Sequence, residues 1–216
     1  MAADPLPSPG PAGLLLTGGA ARRLGAAKAD LRRGGETLGS RAARVLRAVC
    51  SGPVLEVGPG ATDLPAVREA PAGGGPLAAL AAGGAALRTR GYRGPVLLLA
   101  VDLPLVDEAL LDLLAGWPGA STAVPESGGH LQTVCARYGP PALAAAETLV
   151  ANGSRSLQAL FAAVEHEIVP ERAWQAVASP GVFRDVDTPA DAIALGVVLP
   201  GPDDDGDPGP AVATGG

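Results

Sequence analysis

A chain of 216 residues with 47% hydrophobic content is long enough to bury one substantial core. A formal net charge of −6 argues against a general nucleic-acid binder, which needs a basic face, and no apolar run reaches the ~20 residues that span a bilayer. The two cysteines, Cys50 and Cys135, lack metal-ligand spacing, and residues 1–11 lack the basic-then-apolar order of a signal peptide, so a reduced, cytoplasmic protein is expected.

In chain order, residues 1–12 (MAADPLPSPGPA) are rich in Pro and Gly and are expected to form a flexible tail ahead of one domain at 13–199. Within that domain, 13–17 (GLLLT) is apolar enough for a strand buried on both faces, and 37–49 has the pattern of a helix. A short strand at 53–57 (PVLEV) precedes a helix at 76–89, where Gly83 and Gly84 either break the helix or make it depend on tertiary packing. A second buried strand, 95–101 (PVLLLAV), is followed by helices at 107–115 and 141–151 and strands at 121–125 and 131–138. Residues 200–216 read as a disordered Pro-Gly tail whose acidic cluster, Asp203 to Asp207, is most simply solvated. Strands and helices in alternation predict an α/β domain with a mainly parallel sheet, and such sheets bind ligands beyond the carboxyl ends of their strands.

Three segments with chemical potential fall near those ends. After the first strand come Gly18 and Gly19, which let the backbone turn sharply and bring amides close to phosphate oxygens, followed by Arg23, Gly25 and Lys28. Arg forks onto two oxygens and Lys acts as a mobile point charge, so the loop suits a phosphate chain; the plainer alternative is a tight turn with solvated cations. Lys28 is followed by Ala29 rather than Ser or Thr, so this is not a Walker loop. The second segment ends an apolar strand in Asp102-Leu103-Pro104. A carboxylate there is costly unless a cation compensates it, most simply a divalent metal, because Asp107 is the better cap for the following helix. In the third, Thr188, Pro189 and Asp191 form a helix start, which leaves Asp185 and Asp187 alternating on one face of an extended piece, able to complete a metal site with Asp102.

Together these segments resemble the molybdenum cofactor guanylyltransferase family of the nucleotidyltransferase superfamily. The family's L-x-G-G-x-x-x-R-[ML]-G-x-x-K pattern reads here from Leu16 through Lys28 with Leu24 in the usual Met position. Its D-x-P motif is Asp102-Leu103-Pro104, and its [ND]-x-[ND]-T-P motif runs from Asp185 to Pro189. Gly74-Gly75-Pro76-Leu77 is similar to its G-P-L segment beside base and ribose, the run from Gln132 to Tyr138 to its acceptor-side strand, and Gly153-Ser154-Arg155-Ser156-Leu157 to its Gly-x-x-Ser-Leu turn.

The resemblance implies a three-layer α/β/α fold with a Rossmann-like, mostly parallel sheet of the nucleotide-diphospho-sugar transferase type. It implies a Mg²⁺-dependent transfer of GMP from GTP to the phosphate of molybdopterin cofactor, releasing pyrophosphate. Carried over by position, Arg23, Lys28 and Asp102 are the catalytic set. Leu16, Thr17, Gly18, Gly19, Lys28, Glu69, Gly75, Pro76, Leu77 and Asp102 hold the nucleotide. Asp102 and Asp187 hold the metal, and Gln132, Arg155 and Asp185 stand on the acceptor side. The partners implied are GTP and the molybdopterin cofactor, with no nucleic acid or membrane, and transient contact with cofactor-delivery or acceptor enzymes. Ala27 replaces an Asp common before the Lys, and the late motif carries Asp rather than the Asn common in guanylyltransferases. Two alternatives therefore stay open: a cytidylyl- or other nucleotidyltransferase with a different phosphate acceptor, and a non-catalytic nucleotide-binding relative.

Overall fold

The computed structural model describes residues 10–18, 24–69, 73–119 and 121–199. The expectations for residues 1–9 and 200–216, for Gly19 and for Arg23 lie outside these residues; residues 10–12, expected in the first tail, instead join the fold, with the Tyr92 hydroxyl on the Gly10 carbonyl, the Gly52 amide on the Pro11 carbonyl and Ala12 buried at the start of β1. In chain order the elements are β1 (Ala12–Leu16), a 3₁₀ turn (Lys28–Asp30), β2 (Arg32–Arg33), β3 (Glu36–Thr37), α1 (Leu38–Val49), β4 (Val54–Val57), β5 (Ala66–Val67) and α2 (Pro76–Thr89). There follow β6 (Val96–Ala100), α3 (Glu108–Gly116), β7 (Ala123–Ser127), β8 (His130–Leu131), β9 (Cys135–Tyr138), α4 (Pro140–Ala151), α5 (Leu157–Phe161), β10 (Glu167–Val169), α6 (Glu171–Trp174) and α7 (Pro189–Leu195).

The central sheet runs β10-β7-β9-β6-β1-β4-β5, with β8 added to β7. β1 pairs in parallel with both β4 and β6, while β9 is antiparallel to β6 and β7. This mostly parallel sheet between helical layers is the fold class expected from the sequence. Side chains alternate across β1: Leu15 joins α1 and α3 in one buried cluster, whereas Leu14 and Leu16 join α2 and α4 in the other. The chain leaving β1 and β6 therefore reaches helices on one face, and the chain leaving β4 reaches a helix on the opposite face. Segments that diverge in this way leave a crevice at the carboxyl edge of the sheet.

Local chemistry sets the element ends. Thr37 caps α1 by accepting from the Ser40 amide at 3.1 Å, and Asp107 caps α3 by accepting from the Leu110 amide at 3.1 Å. Thr188 and Asp191 form a reciprocal capping box on α7, with Pro189 in its first turn and left-handed Gly196 closing it. Among the described residues no helix is long and apolar enough to cross a membrane.

Two expectations are refined. The strand anticipated over 131–138 is broken: Gln132 donates to the Pro125 carbonyl and Cys135 to that of Gln132, so 132–134 turn between β8 and β9. That turn hands the Val134 carbonyl to the Ala100 amide at 2.9 Å, so a tertiary bond at the end of β6 replaces the continuous ladder. Helix α2, in contrast, runs unbroken through Gly83 and Gly84. A Cβ at Gly83 would lie 2.5 and 2.7 Å from the two terminal methyls of fully buried Leu14, so glycine is what lets α2 lie this close to β1. The three atoms nearest a Cβ at Gly84 all belong to Leu143, the closest at 3.3 Å.

Gly83→Ala should therefore lose about 1–3 kcal/mol by overpacking despite a helix-propensity gain of ~1 kcal/mol, while Gly84→Ala should be near neutral or stabilising. Urea titration of both variants checks this; equal stabilisation of both would contradict the close-packing account.

Candidate active site

Three loops at the carboxyl edge of the sheet converge on one ammonium. Leu16, Val57 and Ala100 end neighbouring strands in register, so the residues that follow them emerge side by side. Asp102 leaves β6 in a turn held by the Val101 amide on the Leu16 carbonyl at 3.0 Å and by the Arg41 guanidinium on the Pro104 carbonyl at 3.0 Å. The extended piece before α7 attaches to this turn through the Val186 amide, which donates to the Asp102 carbonyl at 3.0 Å. Val186 is fully buried, and its neighbours Asp185 and Asp187 are exposed, as alternation on an extended strand dictates. Lys28, on the 3₁₀ turn, then lies with Nζ 2.7 Å from Asp102 Oδ2 and 2.5 Å from Asp187 Oδ1.

Burial alone would lower the Lys28 pKa, but the hydrogen bonds and negative charge of Asp102 and Asp187 outweigh it and hold the ammonium above its ordinary value. Asp185 is shifted upward, by desolvation first and then by repulsion from Asp187 and Asp102. A concentration of carboxylate charge that one cation only partly neutralises suits a second, hard cation. Among the described residues no group of three or more His, Cys, Asp or Glu converges on a metal position. The Asp102–Asp187 pair still fits a Mg²⁺-type ion, which takes one or two carboxylates and completes its octahedron with water and substrate phosphates.

Beside this triad opens a cleft of about 570 Å³, within the range of small-molecule sites. Its wall is apolar at Leu16, Val57, Pro76, Ala79 and Val134, and its polar groups include Gly18, Lys28, Glu69 and Asp102. Gly75, at φ 84°, turns the chain into α2 without a side-chain cap, and a Cβ there would come 3.4 Å from the Arg155 carbonyl. Glu69, also in the lining, accepts from the Gly73 amide at 2.8 Å.

Of the residues singled out from the sequence, Leu16, Gly18, Lys28, Glu69, Gly75, Pro76 and Asp102 line this cleft, and Asp187 joins it through Lys28. Leu77 is fully buried in the α2 core and gives the cleft no side chain. The Thr17 hydroxyl points to Glu56, at 2.5 Å. Gln132 uses its amide on the His130 carbonyl, and Arg155 is exposed beside Gly75. Arg137, in the strand expected on the acceptor side, is instead buried and donates to the carbonyls of Ala115, Trp117 and Ser121, clasping the end of α3. Cys50 and Cys135 are free, and burial pushes both thiols up to about 12, which leaves neither as a nucleophile.

Glu56 is the group the sequence reading passed over. It sits within β4 at 0% exposure and accepts from Thr17 Oγ1, the amides of Gly60, Ala61 and Thr62, and Thr62 Oγ1, at 2.5–2.8 Å. The available signal was a lone charge inside PVLEV, an arrangement that survives burial only when fully hydrogen-bonded. Burial pushes its pKa up, but the bonds from Thr17, Ala61, Thr62 and Gly60 outweigh that and leave it lowered. A carboxyl lowered on folding stabilises the fold above its unfolded pKa and ceases to do so as pH falls through the folded value. Wild type should therefore lose stability on acidification below about pH 4.5 more steeply than Glu56→Gln, whose stability is lower at neutral pH. Parallel slopes in urea melts from pH 7 to 3 would contradict an ionised Glu56.

Comparison with known proteins identifies the family and the fold. The family model for the MobA-like NTP transferase domain matches residues 13–184. A protein of Opitutus terrae named "Probable molybdenum cofactor guanylyltransferase" is 35% identical over 175 residues, covering 78% of this chain and 84% of its own. One of the same name from Chloroflexus aggregans is 34% identical over 174 residues, covering 76% and 82%. Among solved structures, molybdopterin-guanine dinucleotide biosynthesis protein A from Archaeoglobus fulgidus superposes with a TM-score of 0.71 at 18% identity, over 86% of this chain and 96% of that one.

Proposed function

The chain belongs to the MobA-like NTP transferase family, and from that premise we propose that this nucleotidyltransferase moves GMP from GTP to the phosphate of the molybdopterin cofactor, with Mg²⁺. The observation that carries the proposal is the convergence of Lys28, Asp102 and Asp187, from three distant parts of the chain, at the edge of an apolar cleft. The guanine and molybdopterin assignments rest on the names of the relatives at 34–35% identity.

In this reaction an oxygen of the acceptor phosphate forms a bond to the α-phosphorus while the bond to the bridging oxygen breaks and pyrophosphate leaves. A phosphate nucleophile is already ionised near neutral pH, so no general base is needed; positioning and charge neutralisation supply the catalysis. The apolar wall from Leu16, Val57, Pro76 and Ala79 offers a surface for the base, and Gly18, with no side chain in the way, lets the triphosphate approach the backbone. Lys28 swings a short distance from the carboxylates to the phosphates and neutralises charge on the departing pyrophosphate. Arg23 is assigned the same task from its place in the opening loop. Asp102 and Asp187 hold the divalent cation, which when bound polarises the phosphates as a Lewis acid. Asp185, Gln132 and Arg155 are assigned to the acceptor side of the cleft.

Lys28→Ala and Asp102→Ala should each lower turnover by about 10²–10³-fold, the cost of one charge contact in such a site, and leave the circular dichroism spectrum unchanged. Near-wild-type turnover by folded Asp102→Ala protein would remove the metal assignment. Pyrophosphate release from each nucleoside triphosphate, with and without molybdopterin, tests the substrates. The proposal expects release that requires both GTP and molybdopterin; release with CTP instead would move the protein to cytidylyl transfer.

A further inference from the structure

Next to the cleft lies an arrangement that the transfer chemistry does not require: the Thr17 hydroxyl held by the buried carboxylate of Glu56. Thr17 is the last residue before the glycine pair, and its amide extends the β1–β4 ladder by one bond, to the Val57 carbonyl at 3.2 Å. Its hydroxyl is turned under the sheet edge to Glu56 Oε1 and is 7% exposed as a residue. Gly58 closes the arrangement from the other side: a Cβ there would lie 2.0 Å from the Thr17 hydroxyl, 3.1 Å from the Gly18 amide nitrogen and 3.2 Å from Glu56 Oε1. The next residue, Gly18, already lines the cleft.

We infer that Glu56 is a positioning residue for nucleotide binding: it grips the Thr17 hydroxyl, and that grip, sealed by Gly58, aims the Thr17–Gly18 backbone at the triphosphate. This rests on the nucleotidyl-transfer reading above. The physical reason is that a loop opening on glycine has no side chain of its own to fix its direction, so the direction must be imposed at the last residue that has one. Thr is stiff at χ1, and a hydrogen bond to its hydroxyl fixes that rotamer and with it the local backbone. The carboxylate can do this with little repulsion of the triphosphate, because four other donors, from Gly60, Ala61 and Thr62, share its charge, and none of these residues lines the cleft. Thr17 thus serves the nucleotide through its backbone, its side chain being spent on Glu56.

The test compares binding of GTP with Mg²⁺, by titration calorimetry, across wild type, Thr17→Ser, Thr17→Val, Gly58→Ala and Glu56→Ala, each at a temperature well below its melting point. Thr17→Val keeps the shape and loses the hydroxyl; Thr17→Ser does the reverse. Gly58→Ala removes no hydrogen-bonding group but displaces the hydroxyl. Positioning predicts that Thr17→Val and Gly58→Ala each weaken GTP binding on the order of 10-fold to 10²-fold, without compounding when combined, and that Thr17→Ser retains most of the wild-type affinity. The KM for the acceptor should stay within twofold of wild type throughout. Wild-type affinity in folded Thr17→Val and Gly58→Ala would show the network to be purely structural and overturn the inference. Weak binding in Thr17→Val with full binding in folded Glu56→Ala, which leaves the hydroxyl no acceptor at that position, would show that the hydroxyl touches the nucleotide directly, overturning it also. Failure of the wild type itself to bind GTP would instead overturn the functional reading, and the inference with it.

Discussion

One ammonium shared by two carboxylates ties three distant segments together at the carboxyl edge of the sheet. Asp102 lies 74 residues beyond Lys28 and Asp187 lies 159 beyond it, yet both reach Nζ within hydrogen-bond distance. With side-chain exposures of 15% for Lys28 and 24% for Asp102, neither charge is fully solvated, so each depends on the other for much of its compensation. Such a pairing is specific because it fails if any of the three segments shifts. It is also exchangeable, because Asp187 is half exposed and incoming cations and phosphates can compete for both partners.

The scaffold delivers these groups by backbone geometry rather than by long side chains. Parallel pairing of β1 with β4 and β6 aligns Leu16, Val57 and Ala100, and a single amide-to-carbonyl bond from Val186 to Asp102 fastens the late segment to the early sheet. Close packing at Gly83 lets α2 approach β1, while Gly75 and Pro76 at its start form part of the cleft wall. Two buried charges outside the triad follow one rule with opposite signs. Glu56 gathers amides and hydroxyls from Thr17 and residues 60–62, and Arg137 gathers carbonyls at the end of α3; each is tolerated because such dipoles satisfy it.

The fold class and most of the cleft were legible in the sequence because both follow from local pattern. Short apolar runs bounded by Gly and Pro read as buried strands, and Gly18 and Asp102 stand just beyond two of them, where parallel sheets collect ligands, with Lys28 twelve residues after the first. Thr188, Pro189 and Asp191 were readable as a helix start because capping is a matter of a few neighbouring residues. What escaped depends on contacts between distant residues. Nothing local distinguishes Thr17 as a partner of Glu56, 39 positions away, from Thr17 as a nucleotide ligand. The break at 132–134 comes from the bond between the Val134 carbonyl and the Ala100 amide, which no periodicity within the segment encodes. Leu77 carries a motif position, yet its side chain answers to the α2 core and not to the cleft.

The central claim is that the two carboxylates and the ammonium, paired with one another in the free protein, serve one triphosphate together. The most direct measurement is a crystal structure with a non-hydrolysable GTP analogue and Mg²⁺. The account predicts a metal ion touching Asp102 and Asp187 as well as phosphate oxygens, with Lys28 Nζ moved onto the phosphates and the base against Leu16 and Val57. A nucleotide bound elsewhere, with Lys28 still bridging both aspartates, would contradict it.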